Sequence, residues 1–146
     1  MPHLVILYTP DLEAGNDGLA MTALCRALAD TLLAQRDEAG APVFPPGGVR
    51  VLAYPAAHFA VADGGAAGIA AGSSGDYGFI YLKLRMARGR SGEVQQAVGQ
   101  ALQACVQGFA APLLASRHVG ITLQIDEGAE VFDAKLSSLH PLFKKA

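Results

Sequence analysis

Short apolar runs along the chain predict four long β-strands. These runs are rich in β-branched and aromatic residues, and in the later ones apolar side chains alternate with polar ones, which is typical of strands. The predicted strands cover residues 3–8, 49–54, 77–86 and 119–125. A short further strand is predicted over residues 131–135, where apolar residues again recur after a loop.

Two segments between these strands show the spacing of amphipathic helices. In the first, leucines recur every fourth residue, which predicts a helix over residues 18–35 with Asp17 as its cap. In the second, Ser91 is a favourable N-cap and Glu93 follows in the first turn, so a helix is predicted from there to about residue 117. Pro112 lies inside this second helix and can introduce a kink.

The order of elements is therefore β-α-β-β-α-β, which indicates an α+β fold in one domain covering residues 1–146. Each half is a βαβ unit, whose crossover places its helix on one face of the sheet. The result is a four-stranded sheet backed by two helices, with the other sheet face bare. Residues 62–75 are almost all Gly, Ala and Ser, and are expected to form a mobile loop within the domain rather than a linker.

The composition indicates that this bare face is covered by other subunits. Charged residues make up 16% of the chain and hydrophobic residues 51%, whereas soluble domains carry about 25% charged residues.

No apolar run reaches the roughly 18 residues of a membrane span. The net charge of −2 argues against nucleic acid as a partner. No basic and apolar leader is recognised at the N-terminus, so a cytoplasmic location is expected.

Cysteine and histidine do not form the pattern of a metal site. Cys25 and Cys105 fall in the helical segments and are expected to be buried thiols. The histidines are scattered without the spacing of zinc ligands, and no phosphate-binding loop or nucleophile elbow is present. We therefore expect no metal and no cofactor. The four histidines are His3, His58, His118 and His140.

Pro2 is the most informative candidate for chemistry. Removal of Met1 would leave a prolyl secondary amine, a compact acid or base, at the head of the first strand. By itself a Met-Pro start is common and can have no function.

Three arginines near predicted strand ends are further candidates. Arg50 follows a Pro-Pro-Gly-Gly turn, and Arg88 and Arg90 flank a glycine where a strand leads into the Ser91 helix. Arginine at such a junction can hold a carboxylate with two parallel hydrogen bonds, helped by N–H groups at the helix start. The alternative for each one, taken alone, is a solvated turn residue.

Together, these segments resemble the 5-carboxymethyl-2-hydroxymuconate isomerase family of the tautomerase superfamily. No single motif is specific; their order and spacing, firm from residue 76 to residue 144, carry the resemblance. The matching segments are Pro2-His3, residues 44–50, Asp76-Tyr77-Gly78-Phe79-Ile80, Gly89-Arg90-Ser91 and His140-Pro141-Leu142-Phe143-Lys144.

The resemblance implies a tautomerase-like homotrimer with active sites near subunit contacts. It also implies that Pro2 is the catalytic acid/base and that Arg50 and Arg90 belong to the site. The implied substrate is a small polycarboxylate, 5-carboxymethyl-2-hydroxymuconate from bacterial homoprotocatechuate degradation, and no cofactor is required. Two departures, Arg88 and the insertion at residues 64–74, leave a tautomerase of another enol acid open. Retention of Met1 would favour a trimer without catalytic activity.

Overall fold

The fold is taken from a computed structural model, which describes residues 2–144. The strands are β1 (His3–Tyr8), β2 (Arg50–Pro55), β3 (Tyr77–Ala87) and β4 (His118–Gly128). The helices are α1 (Met21–Ala34), α2 (Ala66–Ala70) and α3 (Gly92–Ser116). Three short 3-10 turns add Pro10–Glu13, Pro46–Gly48 and His140–Phe143.

The strands form a mixed four-stranded sheet in the order β2-β1-β3-β4. The two outer pairs, β1 with β2 and β3 with β4, are parallel, as expected for two βαβ units. The two halves join through an antiparallel pairing of β1 with β3. The predicted α+β architecture is thus confirmed, and β1 and β3 occupy the centre of the sheet.

Alternation along the strands separates a covered face from a bare one. On the covered face, which packs against α1 and α3, the side chains of β1 and β3 are nearly or fully buried and those of β2 and β4 are partly buried. On the bare face, Leu7, Leu52 and Tyr54 remain 46%, 48% and 49% exposed. The strand residues of the buried core are Leu4, Ile6, Tyr8, Ile80, Leu82, Leu84 and Met86.

The start of α1 differs from the prediction. Asp17 does not cap the helix, which begins at Met21 after Ala20 without a side-chain cap. Instead, the Asp17 carboxylate accepts hydrogen bonds from Arg117, at 3.0 Å, and from the Ser116 hydroxyl. These bonds, above all the one from Arg117, hold the pKa of Asp17 down at about 2. A long-range ion pair has therefore replaced a local cap.

Residues 62–75, predicted as a loop, contain the short helix α2 and a set of local hydrogen bonds. The Asp63 carboxylate accepts from the backbone N–H groups of Gly65 and Ala67 at 3.1 and 2.9 Å. The hydroxyl of Tyr77 accepts from the Gly68 N–H at 2.9 Å, which ties the segment to β3.

Two smaller expectations are corrected. The predicted strand over residues 131–135 does not form, and this part of the chain is exposed coil. Cys25 and Cys105 are half-buried rather than buried, at the edges of the helix packing. Ser91 does cap α3 as predicted, since its Oγ accepts from the Val94 N–H at 3.2 Å.

Across residues 2–144, none of the helices combines the length and the apolar character that a membrane crossing requires.

The packing of β3 on the Pro10–Glu13 turn leads to a test of the core. A Cβ at Gly78 would lie 2.4 Å from Cδ2 of the fully buried Leu12. We expect Gly78→Ala to lower the free energy of unfolding by roughly 1–3 kcal/mol, the usual cost of overpacking.

The matched control is Gly108→Ala in α3, where an added Cβ meets no atom within 4 Å. This change should raise stability by about 0.5–1 kcal/mol, because Gly is a poor helix former. Urea unfolding at one protein concentration measures both. Equal effects of the two changes would show that the contact with Leu12 is not tight.

Candidate active site at the proline end of the sheet

Topology brings the predicted site residues to one end of the sheet. β1 and β2 begin here, and β3 and β4 end here, because the two parallel pairs run in opposite directions. We call this end the proline end. It holds Pro2, Arg50 at the start of β2, and the connection from β3 to α3 that contains Arg88 and Arg90.

Pro2 is buried and directly precedes the central strand β1. Its carbonyl accepts a hydrogen bond from the backbone N–H of Arg50 at 3.3 Å. Proline suits the first position of a strand, where no ladder donor is required. Met1 lies outside the described residues, so the free amine remains a prediction.

Arg50 is half-buried, and its guanidinium folds back on the turn before it. Nη1 donates to the carbonyl oxygens of Gly47 and Val49 at 2.7 and 3.0 Å. The stiff Pro46–Gly48 turn thus fixes the direction of the side chain. A guanidinium has five N–H donors, so those on Nε and Nη2 stay available for a ligand as far as residues 2–144 are concerned.

Arg90 is also half-buried and joins two segments of the chain. Nη1 donates to the Ala87 carbonyl at 2.8 Å, and Nη2 to the Val43 carbonyl at 2.9 Å. Its guanidinium carbon lies 4.9 Å from the centre of the Phe44 ring, in cation–π geometry. Arg90 therefore has a structural role, which the sequence did not indicate, at the start of α3.

Arg85 is a functional candidate that the sequence reasoning missed. The strand register aligns Arg50, His3, Arg85 and Asp126 in one row across the bare face at the proline end. Arg85 and His3 are exposed, and next to the row Lys83 contacts Asp126 at 2.6 Å. Arg85 could have been identified from the sequence, because it continues the alternation of outward-facing residues along β3.

The C-terminal turn was also missed as part of this site. The His140–Phe143 turn packs on the Pro46–Gly48 turn. A Cβ at Gly47 would lie 3.2 Å from a ring carbon of His140 and 3.2 Å from one of Phe143. Residues at the far end of the sequence thus border the turn that holds Arg50. Arg88, in contrast, is exposed at the proline end.

A wide cavity lies at the opposite end of the sheet. It has a volume of about 1230 Å³ and is bordered by Asp11, Phe59, Tyr77, Arg117 and His118, among others. At the proline end a smaller cavity of about 320 Å³ is bordered by Arg85 and by the end of β4. Neither of these two cavities is bordered by Pro2, Arg50 or Arg90.

Within residues 2–144, no three His, Cys, Asp or Glu side chains converge so that they could hold a metal ion.

Comparison with known proteins gives this arrangement a context. A solved structure of a 5-carboxymethyl-2-hydroxymuconate delta-isomerase is 57% identical, with a TM-score of 0.94 over 100% of this chain and 95% of that one. The 5-carboxymethyl-2-hydroxymuconate Delta-isomerase of Escherichia coli is 25% identical over 144 residues, 99% of this chain and 100% of the relative. A symmetric trimer of fused 4-OT is 25% identical, with a TM-score of 0.51 over 95% of this chain and 98% of that one.

The match to a protein-family model agrees with these similarities. The model for 5-carboxymethyl-2-hydroxymuconate isomerase matches residues 2–143, almost the full length and including Pro2, Arg50 and Arg90. The chain is therefore an isomerase and belongs to the 5-carboxymethyl-2-hydroxymuconate isomerase family.

Proposed function

We propose that this isomerase converts 5-carboxymethyl-2-hydroxymuconate to its oxo tautomer, with the amino group of Pro2 as the acid/base. The observation that carries the proposal is the position of Pro2, buried at the head of a central strand and bonded through its carbonyl to Arg50. A role in bacterial breakdown of aromatic compounds, in the cytoplasm, belongs to the same proposal.

The chemistry fits a secondary amine. Converting a dienol to an unsaturated ketone moves one proton from oxygen to carbon, and a base with a pKa near the working pH does this best. An α-amino group begins near a pKa of about 8. Burial and neighbouring guanidinium groups both disfavour the protonated amine, so both would lower that pKa further. The chemistry requires no metal or organic cofactor.

The two arginines are assigned different parts of the substrate. Arg50 donates its backbone N–H to the Pro2 carbonyl, and within residues 2–144 the donors on Nε and Nη2 of its side chain have no partner. We assign its guanidinium to the negative charge that grows on the dienolate. Arg90 stands directly before the cap of α3, where N–H groups already favour anions. We assign it to a carboxylate remote from the reacting carbons.

We propose further that the protein acts as a homotrimer in which the bare face of the sheet is covered. Leu7, Leu52 and Tyr54 line this face, half-exposed in a chain with few charges. An apolar face of this kind is typical of subunit contacts. The likeness to the symmetric 4-OT trimer supports three as the number of subunits. The row from Arg50 to Arg85 would then border a neighbouring subunit, which could close the shallow site.

A tautomerase of another enol acid is the second candidate. It is favoured by Arg88 and Arg85, two exposed cations at the proline end. They would suit a substrate with a different number or spacing of carboxylates. Relative kcat/KM for dienols with one, two and three carboxylates separates the two candidates.

The role of Pro2 is tested at the amine itself. We expect Pro2→Ala, or extension of the chain by one residue, to lower kcat by roughly 10² or more, within the range of general acid–base catalysis. Intact mass establishes whether Met1 is present in each preparation. Unchanged turnover in a protein with confirmed Met1 would rule out the amine as the base and would favour another mechanism.

The arginine assignment makes a second prediction. Arg50→Ala should lower kcat and Arg90→Ala should raise KM, each by at least about tenfold, because the first contact strengthens in the transition state and the second binds uniformly. Arg26→Ala is the control, since this exposed arginine pairs with Asp30 on α1. If kcat and KM change by less than about threefold in both variants, Arg50 and Arg90 are turn residues without a role in catalysis. Exchanged effects would reverse the orientation of the substrate.

The assembly is tested on the bare face. Leu52→Lys should convert the trimer to smaller species, because it would bury an unpaired charge between subunits. Leu114→Lys is the matched control, with 47% exposure on α3 against 48% for Leu52. Light scattering at micromolar concentration gives the mass of each. A monomeric wild type would refute the assembly, and a trimeric Leu52→Lys variant would show that another surface forms it.

A further inference from the structure

The C-terminal part of the chain returns to the proline end with almost no packing on the way. After β4 the chain is coil, and Val131, Phe132 and Leu136 are 105%, 86% and 99% exposed. It then meets the fold again at the His140–Phe143 turn, which packs on the Pro46–Gly48 turn. The Pro46–Gly48 turn therefore helps to position this last turn.

Gly47 forms that contact through its backbone, because it has no side chain. A Cβ at this position would lie 3.2 Å from Cδ2 of His140, 3.2 Å from Cδ2 of Phe143 and 3.4 Å from the α carbon of His140. Gly47 is buried although it lies in a turn. The two rings thus occupy the space that a side chain would fill at any other residue.

The carbonyl of the same glycine holds Arg50. Its oxygen accepts the 2.7 Å hydrogen bond from Nη1, the shortest bond of this guanidinium among the described residues. Because the two rings lie against the Gly47 backbone, they limit how far the Pro46–Gly48 turn, and this carbonyl with it, can move. Arg50 in turn donates its backbone N–H to the Pro2 carbonyl.

We propose that His140 and Phe143 are positioning residues for isomerisation, which set the Arg50 guanidinium through Gly47. The inference rests on the proposed function of Pro2 and Arg50, and it adds the C-terminal turn to the site. His140 acts by packing rather than by proton transfer, because the atoms that meet Gly47 are carbons.

The first measurement compares two substitutions at one position. His140→Ala removes the ring and should lower kcat for 5-carboxymethyl-2-hydroxymuconate by about tenfold, since misplacement of a catalytic group can cost up to about 10²-fold. His140→Phe keeps a ring carbon against Gly47 and should retain kcat within about threefold of wild type. A proton-transfer role would instead make both variants equally slow, and that result would overturn the packing role.

A double-mutant cycle then tests whether His140 acts through Arg50. Added to Arg50→Ala, the His140→Ala change should lower kcat by less than about twofold, because two residues that act as one unit are not additive. A full tenfold loss in that background would show an independent role for His140 and overturn the inference.

Gly47→Ala tests the same contact from the other side. Its Cβ should displace both rings and reproduce the kcat loss of His140→Ala, whereas Gly108→Ala, with open space around its Cβ, should leave kcat unchanged. Circular dichroism and trimer mass establish that each variant is folded. If His140→Ala does not fold, Phe143→Leu carries the cycle, with the same expected loss of kcat.

The outcomes separate this inference from the proposed function. If Arg50→Ala has no effect on wild-type turnover, the proposed site is wrong. If Arg50→Ala lowers kcat while folded His140→Ala and Gly47→Ala retain it, the site stands and the positioning role of the C-terminal turn is wrong.

Discussion

Pairing on both edges of β1 is the constraint on which the site depends. β2 and β3 fix this strand from either side, so the backbone that leaves Pro2 has no freedom to move away from the sheet. A flexible N-terminus would carry a solvated amine with an ordinary pKa. Pro2 itself is buried, so in the proposed mechanism its nitrogen would have a defined direction and a lower dielectric around it, both of which favour acid–base catalysis.

Two arginines at the proline end are oriented by partners that leave their positive charge unneutralised. Arg50 and Arg90 donate to backbone carbonyls, so the partners that orient them carry no formal charge. A carboxylate partner would have oriented them equally well but would have cancelled the charge that an anionic substrate requires. Carbonyl partners keep the field positive and leave some of the donors available.

Much of the fold could be predicted because it follows from local pattern. Alternation marked β3, and the capping serine marked the start of α3, so both were placed within a residue or two. Asp17 was misassigned because a capping residue and a partner for a distant arginine look alike in sequence. Arg117 lies 100 residues away along the chain.

The candidate site was predictable only in part, for the same reason. Pro2, Arg50 and Arg90 were candidates from their positions in the sequence, the family resemblance supplied their roles, and the structure places them at one end of the sheet. The contact of Gly47 with His140 could not be read from the chain, since it joins two turns that no periodicity relates. Arg85 was visible in the alternation of β3, but its alignment with Arg50 required the register.

The glycine-rich segment of residues 62–75, between β2 and β3, is a place where the length of the chain can change. The backbones of Gly65 and Gly75 touch, since a Cβ on the first would lie 2.1 Å from the carbonyl oxygen of the second. The segment between these two glycines therefore leaves and rejoins the fold at nearly the same point. Residues can therefore be added or lost between these two glycines without shifting either strand. Each doubling of a flexible loop costs only about 0.6 kcal/mol in closure entropy, so a change in the length of this segment should cost little stability.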